Sequence, residues 1–113
     1  DFENPTHYGR IVRKGEFVES IVEEKDGSSE IKKIKEVNSG TYVFSSKELF
    51  EALKKVKTNN AKREYYLTDV ISILSSQNKK VIAYKIRESN EIMGINNRCE
   101  LSKAENFLRY RKV

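Results

Sequence analysis

The sequence predicts an α/β fold, in which strands and helices alternate along the chain. Two short β-rich runs meet at Lys14-Gly15, and two amphipathic helical patterns further on each lie next to a run of β-branched residues. Helices that alternate with strands usually cover a sheet that is at least partly parallel. The predicted strands are too few for a complete doubly wound sheet, so the chain is expected to form part of a larger domain.

The first half of the chain contains a predicted hairpin and a predicted strand. Residues 10–24 hold the two β-rich runs and predict a β-hairpin. The charged segment 30–36 is expected to form one or two helical turns. Residues 37–45 are apolar, β-branched and aromatic, which predicts a buried strand. Asn38 and Gly40 are unusual in a strand and indicate special backbone geometry there.

Residues 45–57 give the clearest helical pattern. Ser45 and Glu48 have the spacing of a capping box, in which each side chain bonds a free backbone N–H of the first turn. Apolar residues at helical spacing follow on one face. Thr68 is expected to cap a second helix, with Asp69 in its first turn.

The last third of the chain is predicted to hold one strand and one helix. Residues 79–86 are rich in β-branched residues and predict a strand. Residues 89–98 read as a loop that has room for a short strand. Ser102 and Glu105 repeat the capping-box spacing and predict that the last helix begins there.

Composition excludes several classes of protein. The net charge is +5, but no basic stripe interleaved with aromatic residues is present, so nucleic-acid binding is the weakest hypothesis. A single cysteine, Cys99, and a single histidine, His7, predict neither a disulfide nor a zinc site. No apolar run approaches the length of a membrane span, which is roughly 20 residues. The expected location is cytoplasmic, with no membrane partner.

Polar residues in loops beside strand or helix ends are the candidates for chemistry. In open α/β sheets, loops at strand ends are where ligands bind. Carboxylate and amide groups hold neighbouring sugar hydroxyls well, because each offers two polar atoms. Each residue taken singly is more typical of a turn or a cap, but together they favour a site for a polar small molecule. The set is Gly9, Glu23, Asn38, Glu64, Tyr65, Tyr66, Asn96 and Asn97.

Five segments in order resemble one enzyme family. "NPTHYGRIVR", "IVEEKD", "EVNSGTYVF", "NNAKREYYLTD" and "GINNRCELSKAE" together are similar to the uridyltransferase domain of bacterial N-acetylglucosamine-1-phosphate uridyltransferase, a bifunctional enzyme. The resemblance covers essentially the whole chain. It implies a Rossmann-like nucleotidyltransferase fold with a mixed sheet, a β-hairpin and flanking helices.

The resemblance also implies a reaction and a set of site residues. UTP and N-acetylglucosamine 1-phosphate would give UDP-N-acetylglucosamine, a cell-wall precursor, and pyrophosphate, with Mg²⁺ as cofactor. Gly9 would let the backbone approach the ligand, and Glu23 and Asn38 would bind the sugar. Asn96 would bind both substrate and metal. The motif "EYYLT" would line the sugar side of the cleft through Glu64, Tyr66 and Thr68, and no residue of this chain is assigned a catalytic role.

Other parts of that family are missing from this sequence. The glycine-rich nucleotide loop, the Asp that shares the metal with Asn96, and the hexapeptide repeats of the left-handed β-helix acetyltransferase domain have no counterpart. Residues 1–113 therefore resemble the sugar-binding C-terminal portion of the uridyltransferase domain. We expect the isolated chain to be inactive and to form homo-oligomers through an exposed sheet edge. The alternative is a non-catalytic module that binds a nucleotide sugar or a protein partner.

Two positions depart from the family pattern in the same way. His7 and Arg63 stand where the family commonly has glycine. If the glycine at the Arg63 position requires a positive φ, the loop is expected to differ locally in this chain.

Overall fold

Two strands and four α-helices make up the part of the chain that the computed structural model describes, residues 1–111. Lys112 and Val113, which end the predicted domain, lie outside the described residues. The predicted α/β class is confirmed in this general form. No helix within residues 1–111 is long and apolar enough to cross a membrane. The elements are β1 (Arg10–Lys14), β2 (Phe17–Val22), α1 (Ser29–Lys32), α2 (Ser46–Leu53), α3 (Asp69–Ser76) and α4 (Arg98–Tyr110), with short 3₁₀ turns at Glu24–Asp26 and Ser89–Ile92.

The predicted hairpin is confirmed. β1 and β2 pair antiparallel, from Arg10 opposite Val22 to Lys14 opposite Phe17. Gly15 occupies the turn with φ +64°, a conformation that glycine adopts without strain. Since Arg10 and Val22 are opposite each other, the residues just outside the pair also meet at the open end of the hairpin.

The strands predicted at 37–45 and 79–86 do not form within residues 1–111, where the sheet consists of the antiparallel pair β1 and β2. The segment 37–45 makes one isolated antiparallel bridge, Val37 to Arg10. The segment 79–86 reaches the hairpin where the carbonyl of Val81 accepts a hydrogen bond from Val18 N–H, at 2.9 Å. A strand needs a neighbour along its length, and these segments have one only at a single point.

Their side chains nevertheless keep the alternation expected of strands. Tyr42 and Phe44 pack against the core, whereas Val43 between them is 99% exposed. Ile82 and Tyr84 are 74% and 90% exposed, and the side chain between them, Ala83, packs inward. Two runs with a strand-like pattern thus present apolar side chains to the outside.

The core lies where α3 packs between the hairpin and α2. Ile71 joins the apolar side chains of the hairpin, and Val70 and Leu74 join Ala52 of α2. Val70 is fully buried. The apolar stripe predicted for this helix is therefore the element that connects the two halves of the core.

The ends of α2 and α4 differ from their predicted caps. The Ser45 side chain makes no cap bond, and the Glu48 carboxylate pairs with Lys79 at 3.1 Å. α2 ends at Leu53. α4 begins at Arg98, one turn before Ser102. Asn97 accepts from Glu100 N–H at 2.8 Å, and the Glu100 carboxylate accepts from Asn96 N–H at 2.6 Å. This reciprocal pair places the start of the helix earlier.

His7 and Arg63, which stand where the family commonly has glycine, both adopt a positive φ. The angle is +75° at His7 and +52° at Arg63. In this region an L side chain is crowded by its own backbone, at a cost of roughly 1–2 kcal/mol. The chain therefore keeps the backbone that glycine would favour, and tolerates the strain.

Replacing Arg63 by glycine is expected to stabilise the protein. Relief of strain should outweigh the added entropy of the unfolded chain, for a net gain in the free energy of unfolding of about 0.5–1 kcal/mol. Urea denaturation of Arg63→Gly measures it. Lys62→Gly is the matched control, because Lys62 is an exposed neighbour with an ordinary φ, and it should be neutral or destabilising. Equal effects of the two substitutions would contradict the strain at Arg63.

Candidate functional site

Three of the predicted site residues meet at the open end of the hairpin. Gly9 precedes β1 and Glu23 follows β2, so the strand register places them opposite each other. Asn38 joins them because its backbone N–H donates to the carbonyl of Gly9 at 2.9 Å. A Cβ on Gly9 would lie 3.3 Å from a carboxylate oxygen of Glu23 and 3.6 Å from Cβ of Asn38. The absence of a side chain at Gly9 thus lets the Glu23 carboxylate and Cβ of Asn38 pack close to its backbone.

Thr68 brings a fourth predicted residue to the same place. Its hydroxyl donates to Oε1 of Glu23 at 3.1 Å, across 45 residues of sequence. Thr68 stands at the N-terminus of α3, as predicted, but its side chain makes no cap bond with the helix. The hydroxyl is used to orient Glu23 instead. We refer to Gly9, Glu23, Asn38 and Thr68 as the polar cluster.

The amide of Asn38 is oriented by its oxygen, and its NH₂ group makes no hydrogen bond within residues 1–111. Its Oδ1 accepts from the Tyr42 hydroxyl at 2.8 Å and from Gly40 N–H at 3.0 Å. A backbone N–H can only donate, so the oxygen must face Gly40. Burial raises the pKa of Tyr42, which keeps its hydroxyl protonated and able to donate. The two N–H groups of Asn38 remain as donors toward an acceptor.

Tyr66 and Glu64 lie beside the polar cluster but differ in exposure. The Tyr66 hydroxyl is buried and has no hydrogen-bond partner within residues 1–111. Its burial, and the nearby carboxylates of Asp26, Glu64 and Glu23, raise the pKa of Tyr66. The Glu64 side chain is exposed, and its backbone is held by both side-chain polar atoms of Asn60. Tyr66 therefore offers an unused donor, whereas the contribution of Glu64 is a negative charge at the edge.

Two further carboxylates, Asp26 and Asp69, lie near the start of α3. Burial and the charge of Asp26 raise the pKa of Asp69, in the first turn of α3. The Asp26 carboxylate accepts from Ala61 N–H at 2.7 Å and fastens the loop before α3. The polar groups around the start of α3 thus serve two purposes. The Thr68 hydroxyl makes no cap bond with the helix and orients Glu23 instead, whereas the Asp26 carboxylate anchors the loop before the helix.

Asn96 lies outside the polar cluster, in a loop that is tied to it. The N–H of Gly94 donates to the hydroxyl of Tyr8 at 2.9 Å, and Tyr8 is the neighbour of Gly9. The side chain of Asn96 is exposed. Within residues 1–111 no group of three or more His, Cys, Asp or Glu side chains could hold a metal ion. Asn96 can supply one neutral oxygen to a metal, and the other ligands would have to come from elsewhere.

An apolar groove of about 640 Å³ opens next to the polar cluster. It runs between the segments 37–45 and 79–86, the two predicted strands that lack neighbours. Asn38 lines both the groove and the polar cluster. Apolar side chains such as Ile11, Phe44, Ile71 and Val81 form its floor. The groove is thus a cleft in the core rather than an extension of the polar site.

Sequence reasoning missed two residues at this site. Tyr42 was expected only as part of a buried strand, and its spacing from Asn38, four residues on, gave no indication of the bond between them. Arg10 lies in the first β-rich run, where nothing in the sequence singles it out, but it is 2% exposed. Burial of a charge cannot be read from a local pattern, because it depends on segments distant in sequence.

No protein-family model matches the chain. Several curated proteins, however, are similar to almost the whole chain. The chain is 53% identical over 110 residues to the "Bifunctional protein GlmU" of Streptococcus uberis, which covers 96% of this chain and 24% of that protein. It is 52% identical over 110 residues to the protein of the same name in Streptococcus mutans, with the same coverage of both chains. This chain is homologous to part of GlmU. In Halalkalibacterium halodurans the GlmU match is 51% over 112 residues, or 98% of this chain and 25% of that protein.

The comparison confirms the resemblance found from the motifs. Identity near one half along almost the whole chain extends well beyond the five quoted segments, so it does not depend on any single motif. The chain spans about a quarter of the length of the GlmU proteins it matches.

Proposed function

We propose that this chain forms the sugar-binding portion of a uridyltransferase that joins UTP and N-acetylglucosamine 1-phosphate to give UDP-N-acetylglucosamine and pyrophosphate. The observation that carries the proposal is the polar cluster. Glu23 and Asn38, which are predicted to bind the sugar, are distant in sequence but both pack against Gly9. The similarity to GlmU proteins supports the same assignment.

The polar cluster suits an N-acetylated sugar. The carboxylate of Glu23 is oriented by Thr68 and can accept hydrogen bonds from sugar hydroxyls. The NH₂ group of Asn38 can donate to a hydroxyl or to the acetamido oxygen. The backbone of Gly9 is buried between them, with no side chain in the way. These groups bind and orient the sugar phosphate, whose phosphate oxygen then attacks the α-phosphorus of UTP while pyrophosphate leaves.

Magnesium is part of the proposal because Asn96 offers a hard, neutral oxygen of the kind the ion accepts. When bound, the metal would neutralise charge on the phosphates. Asn96 would contribute one ligand, and its loop is held near Gly9 by the bond from Gly94 to Tyr8. The remaining protein ligand is proposed to come from outside this chain, as the resemblance implies.

The rest of the domain is proposed to complete a Rossmann-like mixed sheet. The apolar groove and the exposed side chains Val43, Ile82 and Tyr84 lie where strand neighbours are lacking. In the isolated chain, the same surface favours self-association, because unpaired strands and exposed apolar side chains both promote it. The hairpin itself is flanked by Val37 and Val81, so the association would involve the outer segments rather than β1 or β2.

The proposed function is tested by comparing pyrophosphate release by the isolated chain with that by a longer protein that contains the chain. The longer protein, with UTP, N-acetylglucosamine 1-phosphate and magnesium, should release pyrophosphate, and the 113-residue chain alone should release none above the blank. Activity of the isolated chain would contradict the division of the site between two portions. Binding of UDP-N-acetylglucosamine by the longer protein, without any turnover, would instead favour a non-catalytic module.

A further inference from the structure

The side chain of Arg10 is buried among three segments that approach the polar cluster. Its Nε donates to the carbonyl of Ile34 at 3.0 Å and its Nη2 to that of Lys32 at 3.3 Å. Its Nη1 donates to the carbonyl of Tyr8. A planar guanidinium is suited to this arrangement, since its donors point in fixed directions.

Glu24 supplies the countercharge. Its Oε2 lies 2.6 Å from Nη1 of Arg10. That oxygen is buried and accepts no hydrogen bond within residues 1–111, so its contact with Arg10 is an ion pair. The ion pair therefore fixes Glu24, and with it the turn that leaves β2.

Two of these contacts are each one residue away from a member of the polar cluster. Tyr8, whose carbonyl Arg10 binds, precedes Gly9. Glu24, whose carboxylate Arg10 pairs with, follows Glu23. The arginine thus holds both chain segments at the open end of the hairpin.

The third segment leads to Asn38 in the same way. The backbone of Arg10 bridges Val37, the neighbour of Asn38. The carbonyls of Lys32 and Ile34 fix the chain that leads up to that bridge. The side chain of Arg10 therefore anchors the segments that carry Gly9 and Glu23, and together with its backbone it anchors the segment that carries Asn38.

Stability alone is a poor explanation for a buried ion pair. Removing two charges from water costs about as much as their attraction returns, and apolar replacements of similar size are often neutral or stabilising. What a buried guanidinium provides is fixed geometry. At Arg10 the geometry that it fixes is that of the residues assigned to the sugar.

We propose that Arg10 is a positioning residue for the sugar phosphate, which acts through Gly9, Glu23 and Asn38 and touches no substrate itself. This inference rests on the function proposed above. Loss of the guanidinium should let the ends of the hairpin separate, so that the carboxylate and the amide no longer match the sugar. Binding of UTP should be largely unaffected, because none of the anchored residues is assigned to it.

The test is the KM for each substrate in a full-length enzyme that carries Arg10→Lys. Lysine keeps the charge but cannot reach several carbonyls at once. The KM for N-acetylglucosamine 1-phosphate should rise roughly 10-fold or more, and the KM for UTP by less than about 2-fold. Arg109→Lys is the control, since Arg109 is an exposed arginine of α4 that pairs with Glu105 at 3.0 Å and lies on no segment that carries Gly9, Glu23 or Asn38. It should leave both values unchanged.

A proportional rise in both KM values, or a lower melting temperature with unchanged KM values, would overturn the role of Arg10.

If Arg10→Lys does not fold, Glu24→Gln decides, because it keeps the shape of the pair and removes one charge. It should raise the KM for the sugar phosphate selectively, and an unselective effect would overturn the proposal. Glu23→Ala is measured in parallel. If it changes the sugar KM and the Arg10 and Glu24 variants do not, the proposed site stands without Arg10. If Glu23→Ala has no effect either, the sugar site and the role of Arg10 are both overturned.

Discussion

Replacing Glu23 by alanine in the full-length enzyme is expected to raise the KM for N-acetylglucosamine 1-phosphate by roughly 10- to 150-fold, because a hydrogen bond from a charged group is worth about 1.5–3 kcal/mol. The carboxylate already lies against Gly9 and is held by Thr68, so its loss removes a group in position for binding. The KM for UTP should change little, and steady-state kinetics with each substrate varied in turn measures both.

The control for Glu23 lies on the same strand. Glu19 is an exposed carboxylate of β2 that makes no contact with the polar cluster. Glu19→Ala should therefore change either KM by less than about 2-fold, as most surface substitutions do. Equal losses for both substrates in Glu23→Ala would show that Glu23 supports the fold and does not bind the sugar.

Replacing Asn96 by alanine is expected to lower turnover and to raise the magnesium concentration needed for half-maximal activity by roughly 10-fold, the effect of losing one polar ligand worth about 1.4 kcal/mol. The side chain of Asn96 is exposed, and its backbone, which the substitution keeps, makes the bond to Glu100. The melting temperature should therefore stay nearly unchanged. A magnesium titration of activity, with thermal unfolding of the same sample, measures both effects.

The neighbouring asparagine separates a metal ligand from a turn residue. Asn97 caps α4 through its side chain, at 2.8 Å from Glu100 N–H. Asn97→Ala should thus cost about 1 kcal/mol of stability and leave the magnesium requirement unchanged. If Asn96→Ala behaves like Asn97→Ala, with a lower melting temperature and normal metal dependence, Asn96 shapes the loop and binds no metal.

Local patterns predicted the hairpin and α3 correctly, because each depends on residues close in sequence. Once the hairpin is placed, its register brings Gly9 opposite Glu23 without further information. The meeting of Asn38 and Thr68 with that pair required the resemblance, since a bond across 45 residues leaves no periodic signal. Which residues share the polar cluster was predictable, but how they are held was not.

The errors have physical causes as well. Segments 37–45 and 79–86 have the composition of strands, but a strand forms only beside a partner, which residues 1–111 do not provide along the length of either segment. The start of α4 was placed one turn late because two capping boxes compete there. The earlier one prevails, since Glu100 also reaches the free N–H of Asn96. Strand pairing and the position of a helix start both depend on contacts in the folded chain, which composition does not specify.

A crystal structure of the full-length enzyme with UDP-N-acetylglucosamine tests most directly whether the polar cluster binds the sugar. The account predicts the Glu23 carboxylate and the Asn38 NH₂ group at about 2.7–3.2 Å from oxygen atoms of the N-acetylglucosamine ring or its substituents, with the ring against Gly9. A sugar ordered elsewhere, with Glu23 still bonded only to Thr68, would contradict it.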